Sequence, residues 1–460
     1  MKFILAWFFL CFFTQLFAQQ SFIKTYDNPV NEWGWCVQQT SDKGYIIAGQ
    51  IMGNPQKAFL LKTDLSGNEL WKKVFGESSG QYYGYSVWQT SDNGFVLSGS
   101  VSKSGSNDTW IFIIKTNELG DTLWTKKFDH IRNGPNSFLL NTNGDFVIGG
   151  NSTSEYLSLI KTNNKGEIIW EKKQLSDQNF WCSSVIQTKD GGYLVLGKKD
   201  ERIIMIKTDQ DGNFTWTSHY DQNVRNFPEM VIQTTDGYVV AGSAHNYLPT
   251  GGYQSDLLMY KTDLSGNLLW SKIYGGPDAD YGHSIIETAD KGFILAGNYQ
   301  NVSGKADHDI YLVKTDAKGD SLWTRKMDVV YNDFGGHSIK ETNDGGYVTT
   351  GYSRNSSNKE YVFLLKTDIN GNVAKLPNST TSISNSFFIS PNPANEFIEI
   401  QSGIKTPCAI EILNINGNRV YYNTYKENLV KIDITNLSKG IYIIKLIRSN
   451  HILTEKFIKN

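Results

Sequence analysis

KTDLSGNELW, Lys62–Trp71, is the stretch that decides how this chain folds. It returns as KTNELGDTLW from Lys115, KTNNKGEIIW from Lys161, KTDQDGNFTW from Lys207, KTDLSGNLLW from Lys261, KTDAKGDSLW from Lys314 and KTDINGNVAK from Lys366. The lysines are 53, 46, 46, 54, 53 and 52 residues apart. In the first six copies a Trp stands nine residues after the Lys: Trp71, Trp124, Trp170, Trp216, Trp270 and Trp323. A second phrase precedes each copy: QTSDKGYIIAG from Gln39, QTSDNGFVLSG from Gln89, QTKDGGYLVLG from Gln187, QTTDGYVVAG from Gln233, ETADKGFILAG from Glu287 and ETNDGGYVTTG from Glu341. In the third unit it is degraded to LNTNGDFVIGG, from Leu140.

In the first unit this pattern predicts short strands over 34–40, 45–50, 57–63 and 69–75. Ser41-Asp42-Lys43-Gly44 and Asp64-Leu65-Ser66-Gly67-Asn68 make two of the joints, because Asp, Asn and Gly accept the backbone angles and local hydrogen bonds of hairpin turns. Four strands recurring at this period are the mark of a β-propeller blade. The seventh unit ends at Lys375 without a fourth strand. FIKTY, Phe22–Tyr26, matches the fourth-strand phrase WKKVF and is expected to supply it, shutting the ring and leaving no open sheet edge. The expectation is an all-β chain: a seven-bladed β-propeller over 19–375 with each unit's first strand lining the central channel, a linker at 376–386, and a small Ig-like β-sandwich over 387–460.

Composition agrees. The 460 residues hold 42 Gly but 10 Pro, with aromatics at 13%, which suits short strands and tight turns and excludes collagen, long coiled coils and a disordered chain. Lys plus Arg (44) nearly balances Asp plus Glu (46), so a nucleic-acid partner is not expected. The units resemble the propeller repeats of secreted bacterial proteins, and KTDxxGNxxW resembles the tryptophan-docking repeat of quinoprotein propellers. A quinone site would need further cofactor and calcium ligands that this sequence does not assemble, so the tryptophans read as structural rings covering a turn, and no cofactor is expected. The T-S-D-x-G turn resembles the sialidase Asp-box, itself a hairpin turn. The ring's five arginines, Arg132, Arg202, Arg225, Arg325 and Arg354, share no repeated setting, so a three-arginine carboxylate clamp is unsupported.

Both ends carry targeting signals. Lys2, the 11-residue apolar run Phe3–Phe13 and Ala18 before Gln19 read as a signal peptide over 1–18, too short to span a bilayer. No membrane span is expected in the mature chain. Beyond the linker, FFISPNPANEFIEI, AIEILNINGNRV, IDITNLSKGIYIIKL and the terminal TEKFIKN follow in order. This segment resembles the type A C-terminal sorting domain of the Bacteroidetes type IX secretion system. The resemblance implies export through that machinery, recognised by residues 387–460, and a secreted or surface-attached extracellular product. Cys36, Cys182 and Cys408 remain after signal removal and suggest no disulfide framework. Cys36 and Cys182 fall in distant units and read as small buried residues.

Function should sit where the frame varies. From the repeated Gly of strand two to the Lys of strand three the separations are 13, 16, 11, 10, 19, 17 and 15 residues, and NYLPTGGYQSD (Asn246–Asp256) is among the long loops. That face also receives the start of each first strand. Seven residues before the first-turn Thr stand Trp33, Tyr83, Gly134, Trp181, Phe227, Tyr281 and Gly335, the last preceded by Phe334. Five before it stand Trp35, Tyr85, Asn136, Ser183, Glu229, His283 and His337. Trp33, Trp35, Tyr83, Tyr85, Trp181, Phe227, Tyr281 and Phe334 form a ring of aromatics that can stack on sugars; the plainer reading is wedge packing between blades. Glu229, His283 and His337 offer one carboxylate and two imidazoles, a set able to hold a metal with open positions; the plainer reading is a hydrogen-bonded His pair. No Gly-x-Ser-x-Gly elbow, His-Glu-x-x-His helix or phosphate loop is present. Asp280, Asp333 and Glu229 are the first candidates for paired carboxylates. The sequence therefore reads as an exported non-catalytic module binding a glycan or protein. The alternatives are a glycan-cleaving hydrolase or lyase with its site on the variable face, and a structural surface component with no small ligand.

Overall fold

Turn chemistry sets each blade. Thr40 Oγ1 (2.5 Å) and the Gly44 N–H (3.0 Å) both donate to Asp42 Oδ1, closing the hairpin between strands one and two. Asp92, Asp190 and Asp290 do the same in their own units. In the hairpin between strands three and four, Asp64 Oδ1 accepts from the Ser66 and Asn68 N–H groups, and Gly67 takes φ +76°. The Lys that opens each KTD phrase runs back along its blade to the first turn: Lys62–Asp42, Lys115–Asp92, Lys161–Asp145, Lys207–Asp190, Lys261–Asp236, Lys314–Asp290 and Lys366–Asp344. These hydrogen bonds and the ammonium group hold Asp42, Asp92, Asp190, Asp236, Asp290 and Asp344 below the usual carboxylate range against the opposing effect of burial, Asp92 and Asp290 down to about 2.

The computed structural model describes residues 21–459 except 104–108, 129–130, 133–136, 142, 153–155, 174, 177–178, 201, 221–224, 248–252, 277–278, 302–306, 330–331, 374–386, 391–393, 403–407, 415–416, 426–428 and 449–450. The signal segment, the linker, Gly134, Asn136 and Pro391-Asn392-Pro393 lie outside the described residues. The chain divides into two compact units, Met1–Lys375 and Leu376–Asn460.

In the first unit the described strands build seven antiparallel sheets, six of them running outward in chain order and the seventh closed by the first strand of the chain. Blade 1 comprises Glu32–Gln39, Tyr45–Ile51, Lys57–Thr63 and Glu69–Phe75, close to the expected spans. The inner strands of blades 2 and 4 to 7 are Gly80–Gln89, Trp181–Gln187, Arg225–Gln233, Asp280–Glu287 and Asn332–Glu341. Blade 3, the degraded unit, has its inner strand in two pieces, Ile131–Arg132 and Phe138–Leu140. Blade 7 is completed by Phe22–Tyr26, which pairs antiparallel with Glu360–Thr367 as expected.

Seven apolar clusters, one per seam, hold the ring. Tyr220 of blade 4 packs with Val231 and Tyr260 of blade 5, and the series closes where Phe22, Val348 and Leu364 of blade 7 meet Val37, Tyr45 and Phe59 of blade 1. The repeated tryptophans clamp neighbouring blades. A methyl on Gly120 would lie 2.7 Å from the Trp71 ring, and Gly212, Gly266, Gly319 and Gly371 meet Trp170, Trp216, Trp270 and Trp323 in the same way. The Trp therefore covers the next blade's turn, where only Gly leaves room. At the closing seam Phe22 takes this part over Gly67, Lys24 Nζ donates to Asn68 Oδ1 (3.1 Å), and the Tyr26 hydroxyl donates to Gly67 O (2.9 Å).

The second unit has a three-stranded sheet (Phe387–Ser390, Phe397–Ser402, Leu429–Asp433) and a four-stranded sheet (Arg419–Tyr425, Cys408–Asn414, Gly440–Arg448, His451–Lys459). Ile398, Ile400, Ile410, Ile412, Ile444 and Phe457 fill one core between them, the expected small sandwich.

Candidate functional site

The site is made by a repeated irregularity of the inner strands. In blade 1 the ladder runs from Gly34↔Gly49 to Cys36↔Ala48 and skips Trp35. The same step skips Tyr85, Ser183, Glu229 and His283; in blade 7 three residues, Gly335 to His337, are skipped. A bulge turns the extra residue out of the ladder and re-aims its side chain. The glycine after strand two permits it. A methyl on Gly49, Gly99, Gly197, Gly242, Gly297 or Gly351 would lie within 2.4 Å of the carbonyl oxygen of Trp33, Tyr83, Trp181, Phe227, Tyr281 or Phe334. Among the described residues, the positions counted five before the turn Thr, Trp35, Tyr85, Ser183, Glu229, His283 and His337, are thus the bulge positions.

The bulge side chains meet one another. The Trp35 ring stacks on His337 (4.5 Å) and meets Tyr85 edge-on (6.0 Å), and His337 meets His283 edge-on (5.2 Å). Trp35 Nε1 donates to Gln50 Oε1 (3.1 Å), and His283 Nε2 pairs with Asn298 Oδ1 (2.6 Å). A cavity of about 540 Å³ opens among them, lined by Trp35, Tyr83, Tyr85, Trp181, Phe227 and Glu229, with Ser100, Ser102, Thr109, Ser183 and Lys198 adding polar groups. Trp181 is 65% exposed at its lip. Lys198 Nζ lies 3.6 Å from the centroid of the Phe227 ring, whose neighbour at 4.4 Å is His245.

The eight expected aromatics therefore divide. Trp35, Tyr83, Tyr85, Trp181 and Phe227 line the cavity. Trp33 and Phe334 do not; both stack on Tyr352, at 4.7 and 4.9 Å. Phe334 also stacks on His308, and Trp33 Nε1 donates to Glu360 Oε2 (2.6 Å). Tyr281 packs edge-on to His245 and does not line the cavity either. The near-complete ring expected from the sequence is corrected to an aromatic group lining the cavity, with Trp33 and Phe334 stacked instead on Tyr352 in the manner of the plainer wedge-packing reading. The wider bulge of blade 7, with its two glycines, draws Phe334 off the common position.

The metal expectation is also corrected. His337 Nδ1 donates to Gly34 O (3.1 Å) and His283 is held by Asn298, so each imidazole is drawn toward a different strand. Burial lowers both pKa values, His337 to about 3, leaving the rings neutral. Among the described residues, the three ligand atoms that come within 4.8 Å of one another belong to Asp309, Asp328 and Asp333, not to Glu229, His283 and His337. Burial pushes Glu229 up to about 7. Asp280 and Asp333 do not line the cavity; they are buried at the seams before blades 6 and 7. Cys36 and Cys182 are free thiols, Cys182 pushed up to about 12 by burial.

Ser100, Ser102, Thr109 and Lys198 were not anticipated. Ser100 and Lys198 follow the repeated strand-two Gly, as do Gln50, Ser243 and Asn298. A polar residue at that point of an otherwise apolar strand was the available signal.

Comparison with known proteins decides the second unit. Residues 389–460 match the model of the secretion system C-terminal sorting domain. They belong to that family. The sorting domain marks the chain for export by the type IX route, to the cell surface or beyond it. No curated protein matches the chain. Solved structures that resemble the ring include YCF48 from Cyanidioschyzon merolae, with TM-score 0.45 and 10% identity over 75% of this chain and 98% of that one. NanB with Optactamide gives 0.43 and 10% over 76% and 71%, and Drosophila Plexin A in complex with Semaphorin 1b gives 0.43 and 7% over 76% and 88%. These are likenesses of fold. Among the described residues no helix is long and apolar enough to cross a membrane.

Proposed function

We propose that the propeller is a non-catalytic binding module that takes a glycan in the cavity at its variable mouth. One observation carries the reading: an exposed Trp181 stands over a cavity whose wall alternates aromatic faces with hydroxyl groups. Sugar rings present apolar C–H faces to aromatics and hydroxyls to polar groups, and both kinds of partner are in place. The cavity volume is in the range of small-ligand sites. Type IX export carries such a module to where extracellular polysaccharide is met.

The second reading, a glycan-cleaving hydrolase or lyase, is favoured by Glu229, a lining carboxyl whose pKa of about 7 suits a general acid. Hydrolysis by the usual route needs a second carboxylate roughly 5–10 Å away. Glu229 is the one carboxyl among the described lining residues, and binding is the better supported reading.

The test is titration of the mature chain with a panel of soluble polysaccharides, followed by calorimetry on any that bind. Trp181→Ala should weaken binding by about tenfold or more, a loss of about 1.4 kcal/mol, and leave the unfolding midpoint unchanged. Wild-type affinity in Trp181→Ala would remove the mouth as the site. Release of reducing or unsaturated ends by wild type, lost in Glu229→Gln, would establish the enzyme reading instead.

A further inference from the structure

Six inner strands set the aromatic of the mouth directly opposite the residue that follows the strand-two Gly. The pairs are Trp33↔Gln50, Tyr83↔Ser100, Trp181↔Lys198, Phe227↔Ser243, Tyr281↔Asn298 and Phe334↔Tyr352. Directly opposed residues of an antiparallel pair share a face, so each aromatic and its partner stand side by side. Among these pairs blade 4 alone puts a cation beside its aromatic, and that aromatic is the exposed Trp181.

The neutral partners are used inside the frame. Gln50 Oε1 accepts from Trp35 Nε1, Asn298 Oδ1 pairs with His283 Nε2, and Ser243 Oγ accepts from the Gly282 N–H (3.1 Å). Tyr352 stacks on Trp33 and Phe334. Lys198 instead crosses to the next blade and reaches the Phe227 ring at the cavity wall. A ring face attracts an ammonium through its quadrupole but brings no charge to cancel it. Lys198 and Glu229 are the two residues of charged type among the described lining residues. Burial raises the Glu229 pKa to about 7, so below that pH the carboxyl is mostly neutral and the charge on the described lining is the ammonium.

We propose that the mouth selects an acidic glycan, with a sugar ring stacked on Trp181 and its carboxylate or sulfate on the Lys198 ammonium. This rests on the glycan reading above and names the class of sugar within it. An acidic sugar carries both features that the pair matches: an apolar C–H face, and an anionic group at the ring's edge that accepts charge-assisted hydrogen bonds from an ammonium. Ser102 and Thr109, opposite each other in blade 2, add hydroxyls to the lining for the sugar's own.

The experiment is calorimetry of the mature chain below about pH 7, with alginate and polygalacturonate as polyuronates, κ-carrageenan as a sulfated glycan, and dextran and laminarin as neutral ones. An acidic polymer should bind at least about tenfold more tightly than either neutral one, and should weaken in about 0.5 M salt, where such charges are screened. Binding confined to the polyuronates identifies the anion as a carboxylate; binding confined to carrageenan identifies a sulfate. Lys198→Met keeps the packing on Phe227 without the charge and should lose about tenfold in affinity for that polymer, while Lys198→Arg should retain it. The preference is read on the wild type, so it stands whatever the variants do to folding. Equal binding of neutral and acidic polymers, or wild-type affinity in Lys198→Met, overturns the acidic class and leaves the glycan reading standing. No binding of any polymer fails the glycan reading itself and this proposal with it.

Discussion

A side chain's role in this ring is set by where the ladder skips a residue. Trp33 and Trp35 are two residues apart, yet one is stacked in a seam and the other faces the cavity, because the bulge falls between Gly34 and Cys36. Glu229 shows the same control over charge. Its folded pKa, about 7, stands above the ordinary 4.5, so the folded state holds a proton that the unfolded chain has released. Stability must then fall as pH rises from about 4.5 to about 7 and be level in this respect below and above that window. Glu229→Gln removes the dependence. Urea midpoints of wild type and variant, compared at pH 4.5 and 7.5, should shift in the variant's favour at the higher pH. A constant difference would mean that Glu229 ionises normally.

At the scale of the element, the blade is stapled by its buried Lys. The Lys314 side chain is 5% exposed, whereas its partner Asp290 is 57% exposed. Lys314 Nζ also donates to the Thr315 carbonyl (3.0 Å). Removing either partner is therefore not equivalent. Asp290→Ala strands a buried ammonium and should cost about 3 kcal/mol, while Lys314→Met leaves a hydrated carboxylate and one carbonyl and should cost about 1 kcal/mol. Chemical denaturation of the two variants measures the order; equal costs, or the reverse order, would show that the pair is not desolvated as described. The low Asp pKa values work in the opposite sense to Glu229. Their contribution is complete above about pH 4 and drains away as pH falls toward about 2, the value for Asp92 and Asp290.

For the whole molecule, closure is the decisive event. Phe22 covers Gly67 as each Trp covers the next blade's turn, and Tyr26 caps the same turn. The five residues Phe22–Tyr26 thus complete a blade whose other strands end at Thr367, joining the two ends of the ring. Phe22→Ala should destabilise by about 3 kcal/mol, as large-to-small changes in a packed seam do. Its urea midpoint should fall as far as that of Trp124→Ala; an unmoved midpoint would mean that the ring holds without its clasp. The sorting domain has a core of its own, Ile398 to Phe457, so its export signal is carried on a separately packed unit.

Blade number, strand spans, the closing strand and the sorting domain were legible in the sequence, because each follows from local chemistry repeated at a fixed period: Asp–Gly turns, alternating apolar strands and a Trp at a constant offset. Both columns of mouth residues could be counted for the same reason. Their division into cavity wall and stacked wedge could not, since it depends on bulges and on which neighbour each ring meets across a seam. Nor could the gathering of Asp309, Asp328 and Asp333, or the separation of Glu229 from His283 and His337, be read from spacing. Residues of different blades are brought together only when the ring closes, and their distances belong to the closed ring and not to any one repeat.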